Sequence, residues 1–295
     1  MAELAGLLEP SALSAQVRGW LKEDVPSFDY GGAVVGDGIE TAVLYAKSKG
    51  ILAGKPFFQA VFDELNCEIE WRAGASDGQD LVGPLPIPLA EVKGPVRKIL
   101  LGERLALNAL ARCSGIATRS SGLVNIAKQT GWKGIIAGTR KTTPGFRLVE
   151  KYGLLAGNAD THRMDLSSMV MLKDNHIVSC GSIRKAVEKA KTVAGFAVKI
   201  EVECSSVEDA KEAVEAGADV VMLDNFEPEA LRVAAQELRK WALPGGHTFL
   251  IEASGGLSEA SLADYCVPGV DILSLSIMQG APAVDFSLKI PRKTA

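Results

Sequence analysis

The stretch Val198–Phe226, VKIEVECSSVEDAKEAVEAGADVVMLDNF, reads as strand, helix, strand. The apolar run VKIEVEC is short enough for a buried strand, Val207–Ala216 has helical spacing, and DVVMLD is a second apolar run. Such a unit joins two parallel strands through a helix. The pattern extends both ways, with strand-like runs at GIIAG, MVMLK, TFLIEA and VDILSL and helical segments at Ser182–Ala194 and Pro228–Trp241. Six strands in about 150 residues predict a parallel α/β sheet, open or closed into a barrel. Eight would make a complete TIM barrel, and only six are clear.

The residues that follow these strands carry the chemistry. GIIAG runs into Thr139-Arg140-Lys141, MVMLK ends on Lys173-Asp174-Asn175, and VKIEVEC carries Glu201 and Glu203. DVVMLD ends on Asp224-Asn225, TFLIEA on Ser254-Gly255-Gly256 and VDILSL on Ser276. In parallel α/β folds the carboxyl ends of the strands form one rim, where sites are built. Arg140, Lys141 and Lys173 at strand ends suit an anionic ligand, Arg by paired hydrogen bonds and Lys as a compact charge. Thr142 and Thr143 bring hydroxyls to the same rim. His162, beside Arg163 in THRMD, is a candidate for anion recognition. Arg147 and Lys151, on the helix GFRLVEKYG with Glu150, read as a solvated face. His176 reads as a loop or packing residue and His247 as a surface one. Glu203 and Asp224 can hold Mg²⁺ loosely through a substrate phosphate, or bond ribose hydroxyls. The Ser-Gly-Gly turn, taken to precede a helix, offers backbone N–H groups to a phosphate. The composite site calls for a substrate with several negative groups, at least one of them a phosphate.

The first hundred residues mix a helix over Ser11–Lys22 with strand-like AVLYAKS, CEIEWRAG and LAEVKGP. One or two long helices follow, from Pro95 to Thr130. With 295 residues, 47% of them hydrophobic, the chain can bury a large core. Its net charge of -4 argues against general nucleic-acid binding. No apolar run is long enough for a membrane span, and the amino terminus lacks the pattern of a secretory signal. The five cysteines are scattered without C-x-x-C, so free thiols in a cytoplasmic protein are expected rather than a disulfide framework or zinc site. No G-x-G-x-x-G follows a strand, and no P-loop or hydrolase elbow occurs.

The motifs AGTRKTTPGFRLVEKYGLLAGNADTHRMDL, KDNHI, IEVECSS, MLDNF and IEASGG closely resemble the quinolinate phosphoribosyltransferase family, its animal members most. The similarity runs from GGAVV to the closing APAVDFSLK. The resemblance implies an amino-terminal α/β sandwich domain over residues 1–115, joined by about 280–295. It also implies a carboxyl-terminal open, incomplete TIM-like α/β barrel over 116–279. The implied reaction transfers phosphoribosyl from phosphoribosyl pyrophosphate to quinolinate with loss of CO2, in NAD biosynthesis. By motif, Arg140, His162, Arg163 and Lys173 would bind the quinolinate carboxylates, with Arg104 supplied by a partner subunit. Lys141, Thr142, Glu203, Asp224 and Ser254-Gly255-Gly256 would hold phosphoribosyl pyrophosphate and Mg²⁺, with Lys141, Glu203 and Asp224 catalytic. A homodimer with shared active sites, or a hexamer made as a trimer of dimers, is the implied assembly. Two features depart from the family pattern. Ser276 stands where a glycine near the phosphate is expected, and the WALPGGHT connection is a few residues longer. A relative with a different anionic acceptor, or a non-catalytic anion-binding protein on the same barrel, would be the competing readings. The retained Arg104, Arg163, Glu203 and Asp224 speak against them.

Overall fold

The computed structural model describes residues 4–241 and 248–292; His247 and most of the WALPGGHT connection lie outside them. Along the chain, α1 (Pro10–Asp24), α2 (Tyr30–Val35), β1 (Ile39–Ala46), β2 (Ile51–Leu52), α3 (Lys55–Glu64), β3 (Glu68–Trp71), β4 (Gln79–Asp80) and β5 (Ile87–Pro95) lead into the single 34-residue helix α4 (Val96–Gln129). There follow β6 (Ile135–Gly138), α5 (Arg147–Ala156), β7 (Val170–Leu172), α6 (Asp174–Cys180), α7 (Ile183–Ala194), β8 (Ile200–Cys204) and α8 (Val207–Ala216). Then come β9 (Val220–Asp224), α9 (Pro228–Lys240), β10 (Leu250–Ser254), α10 (Leu262–Tyr265), β11 (Ile272–Leu275) and β12 (Phe286–Lys289). No described helix is long and apolar enough to cross a membrane.

Two compact units result, one of Met1–Ser121, Thr142–Asn158 and Gly280–Ala295, the other of Gly122–Lys141 and Ala159–Gln279. This division falls inside α4, at Ser121/Gly122, and α5 counts with the first unit. The reason is apolar: Val149, Tyr152 and Ala156 of α5 join the core built by β1, α3 and β5.

In the first unit the antiparallel sheet runs β12-β1-β5-β3. Alternating side chains of β1 and β5 leave Ala42, Leu44, Ala90 and Val92 in the core, where Phe57, Phe58, Val61 and Phe62 of α3 join them. Helix α5 contradicts the solvated-face reading at Lys151, which is 1% exposed beside Glu150 at 0%. The Glu150 carboxylate accepts from Arg112 Nη2 at 2.8 Å, from the Thr143 amide at 2.8 Å and from Thr143 Oγ1 at 2.9 Å. A carboxylate so bonded can be buried, and the neighbouring turn of α5 is buried with it.

The second unit holds the six predicted strands as one parallel sheet, β6-β11-β10-β9-β8-β7. A single bridge between Ala137 and Asp160 lies against β6. The architecture is the open α/β barrel. Helices α7, α8 and α9 bury Ala/Val/Leu stripes such as Ala186, Val187 and Ala190. Ser182 and Ser206 cap α7 and α8 through the amides of Lys185 and Asp209. Each helix thus starts soon after a strand ends, which leaves the strand ends open as a rim.

Candidate active site

Along a strand, residues two apart face the same side. That spacing brings Met171 and Lys173 at the end of β7, Met222 and Asp224 on β9, Glu252 and Ser254 on β10, Glu203 on β8 and Ser274 on β11 to one cavity of about 460 Å³. Thr139, Arg140, Lys141, His162, Arg163, Asn225, Gly255 and Gly256 complete its wall. The volume suits a small-molecule site. A larger cavity of about 730 Å³ lies within the first unit. Its lining includes Asp63, Glu64 and Asp77 against the one cation Lys55, which sits 4.5 Å from the Trp71 ring centre, so it is not built for polyanions.

Two arginines mark one part of the polar cavity. Arg140 Nε is buried and has no hydrogen-bond partner among the described residues. Burial, and then the charge of Arg140, push the Arg163 guanidinium below its ordinary range, with Glu201 opposing. Two guanidiniums that repel each other and leave a buried N–H unpaired are a receptor for an anion.

The carboxylates mark another part. Lys173 Nζ donates to Glu203 Oε2 at 2.7 Å. Burial, followed by the charge of Glu203, raises the Asp224 carboxyl, against Lys173, Asn225 and Lys141. Two oxygen-rich side chains that repel one another are the donor set of a hard divalent cation, so Glu203 and Asp224 fit Mg²⁺. Next to them Gly255 has φ +93°, and a Cβ there would lie 2.3 Å from Asn225 Oδ1, so only glycine permits this turn. The helix expected directly after the turn starts only at Leu262 and has four residues, so any phosphate cradle rests on loop N–H groups.

His162 adopts φ +53° while its amide donates to Asp160 Oδ1 at 2.6 Å. The Arg163 amide donates to His162 Nδ1 at 2.8 Å. Nδ1 must then be unprotonated, so Nε2 carries the ring proton and donates to Glu252, whose oxygens lie at 3.0 and 3.2 Å. Both ring nitrogens of His162, which lines the cavity, make hydrogen bonds within the chain. Its Nδ1 thereby holds the backbone at Arg163 against its own ring. His176 lies exposed at the start of α6, where its Nδ1 accepts from the Lys173 amide at 3.0 Å.

Ser276, Thr142 and Arg104 are not among the residues of this cavity wall. Ser276, half-buried just past β11, is not in the cavity wall. Thr142 belongs to the first unit, where its hydroxyl accepts from Arg147 Nε at 3.1 Å. Arg104 is exposed on α4 in the first unit, beside Asn108, Trp20 and Pro144. Glu252 and Ser274 were missed because each sits inside an apolar strand, not after it. Counting back two residues from Ser254 and Ser276 would have found both.

The sequence matches the family description Quinolinate phosphoribosyl transferase, N-terminal domain, over residues 32–114, and the corresponding C-terminal domain over 116–289. Nicotinate-nucleotide pyrophosphorylase [carboxylating] of Rattus norvegicus is 53% identical over 285 residues, covering 96% of this chain and 93% of that protein. The Homo sapiens protein of the same name is 52% identical over 289 residues, with 97% and 94% covered. The solved nicotinate-nucleotide pyrophosphorylase of Francisella tularensis superposes with a TM-score of 0.84 at 34% identity, covering 96% of this chain and 98% of that one. With the arginine pair, the carboxylate pair and the glycine turn on one rim, the chain belongs to the quinolinate phosphoribosyl transferase family.

Proposed function

We propose that the protein transfers phosphoribosyl from phosphoribosyl pyrophosphate to quinolinate with decarboxylation, giving nicotinate mononucleotide, pyrophosphate and CO2. The observation that carries this reading is the Arg140–Arg163 pair, with Arg140 Nε buried and without a hydrogen-bond partner among the described residues, which suits a dicarboxylate. Arg140 and Arg163 hold the two carboxylates and so set the pyridine nitrogen toward the ribose. Lys141 faces the departing pyrophosphate and Lys173 shares its charge between Glu203 and the substrates. Glu203 and Asp224 stabilise the oxocarbenium character that develops as the C1′–O bond breaks. The nitrogen's lone pair forms the new C1′–N bond. The resulting pyridinium accepts the electron pair of the breaking C2–carboxylate bond, CO2 leaves, and a proton takes its place. Mg²⁺, when bound by Glu203 and Asp224, neutralises charge on the leaving pyrophosphate.

The finer assignments follow the same reading. The protein acts in the cytoplasm, as its free cysteines and composition suit. It works as a homodimer in which Arg104 reaches the partner's site, or as a hexamer of three such dimers. Incubation with quinolinate, phosphoribosyl pyrophosphate and Mg²⁺ should release pyrophosphate and CO2 in equal amounts. Turnover of nicotinate but not quinolinate would overturn the assignment.

A further inference from the structure

Among the described residues one side chain donates to each of the carboxylates Glu203 and Asp224, and the two donors differ in kind. Lys173 Nζ, a cation, donates to Glu203 Oε2. Asn225 Nδ2, a neutral amide, donates to Asp224 Oδ2. A cationic donor orients a carboxylate and offsets its charge, whereas an amide orients it and leaves the whole charge for a ligand. Asn225 is itself tied to β10. The register pairs Asp224 with Ser254, and the Asn225 amide N–H continues the ladder by donating to Ser254 O at 2.9 Å. There the chain turns into the left-handed region, φ +59°, which asparagine tolerates better than most side chains. The Asn225 side chain then lies against the glycine turn. A Cβ at Gly255 would stand 2.3 Å from Asn225 Oδ1, 2.7 Å from its Cγ and 2.8 Å from its backbone nitrogen. One side chain thus meets both the carboxylate that ends β9 and the loop that follows β10. The charge of Glu203 repels Asp224, and the bond from Asn225 opposes the rotation that this repulsion favours.

We infer, on the reaction proposed above, that Asn225 is a positioning residue: it holds the Asp224 carboxylate in register with the Ser254-Gly255-Gly256 turn. The group for the ribose or Mg²⁺ and the loop for the phosphate then present one fixed spacing to phosphoribosyl pyrophosphate. Pre-set spacing of this kind lowers the cost of ordering a flexible polyanion on binding. Asn225 acts through Asp224 and the turn, so its effect falls on one substrate. The arginines for the dicarboxylate stand on other segments, Arg140 after β6 and Arg163 before β7.

Two variants of the full chain separate the amide from the backbone that carries it. Asn225→Gly keeps the left-handed turn and the N–H for Ser254 O but removes the side chain. Asn225→Asp keeps the shape and sets an acceptor against Asp224 in place of a donor. Calorimetric titration with phosphoribosyl pyrophosphate and Mg²⁺ reads the effect without turnover. Benzene-1,2-dicarboxylate, which has two carboxylates but no ring nitrogen to react, fills the arginine pair during the titration. The Kd should rise about tenfold in Asn225→Gly and further in Asn225→Asp, with KM for phosphoribosyl pyrophosphate rising in parallel. KM for quinolinate should stay within about twofold of the parent, whereas a merely structural role would move both KM values together. A Kd within about twofold of the parent in a folded variant overturns the inference, and so does an equal rise in both KM values. Failure of both variants to fold would make Asn225 architectural and overturn it as well. A parent that binds phosphoribosyl pyrophosphate but does not convert quinolinate sinks the reaction assignment alone, and the titration still decides Asn225. A parent that does not bind phosphoribosyl pyrophosphate sinks both.

Discussion

Glu150 in the first unit and Glu201 in the second are both 0% exposed, yet they are buried in opposite ways. Glu150 is saturated by Arg112 and by the amide and hydroxyl of Thr143. Glu201 has no hydrogen bond to either oxygen among the described residues. A buried charge with every lone pair used serves architecture, because its desolvation is offset on the spot. A buried carboxyl left without partners must stay protonated, and folding then takes up a proton. Unfolded, Glu201 would ionise near 4.5; folded, near 9, so its contribution to stability declines as pH rises across that window. The first unit uses its polar burial to hold a loop, and the second leaves Glu201 without hydrogen bonds among the described residues, close to Glu252.

Substitutions can break this comparison. The largest effect is expected at the site: Arg140→Ala should lower kcat/KM for quinolinate by about a thousandfold, roughly 4 kcal/mol, with little change in unfolding. Steady-state kinetics beside a thermal melt would check it, and unchanged quinolinate binding would remove Arg140 from the site. Glu150→Ala should do the reverse. Loss of its three partners, one a half-buried arginine, should cost about 3 kcal/mol in denaturant unfolding. A loss of activity without loss of stability would erase the contrast with Glu201. The smallest effect is expected at the surface, where Lys211 and Glu237 pair at 2.5 Å while both remain accessible to water. Lys211→Ala should shift stability by less than about 1 kcal/mol, and by less still in high salt.

The six strands of the second unit were legible because each is a short apolar run bounded by a helix with its own periodicity. The rim residues Arg140, Lys173, Glu203, Asp224 and Ser254-Gly255-Gly256 were legible because polarity begins where each strand stops. Glu201, Glu252 and Ser274 were harder to read, since inside an apolar strand a polar residue has no local mark of its surroundings. Lys151 misled for the same reason. On a helix bearing Glu150 and Arg147 it reads as solvated, and only the packing of α5 makes it 1% exposed. His162 lines the cavity, but its hydrogen bonds to the Arg163 amide and to Glu252, the latter 90 residues away in the chain, leave no local mark in the sequence.

By itself the sequence determined the alternation of strands and helices, a parallel α/β sheet and the set of charges at its strand ends. Those features follow from periodicities of two and 3.6 residues, which act locally. Tertiary structure alone decided which charges are paired, which nitrogen of His162 carries its proton, and that α5 joins the first unit. Those outcomes depend on burial and on hydrogen-bond partners far apart in the chain, and no local pattern encodes them.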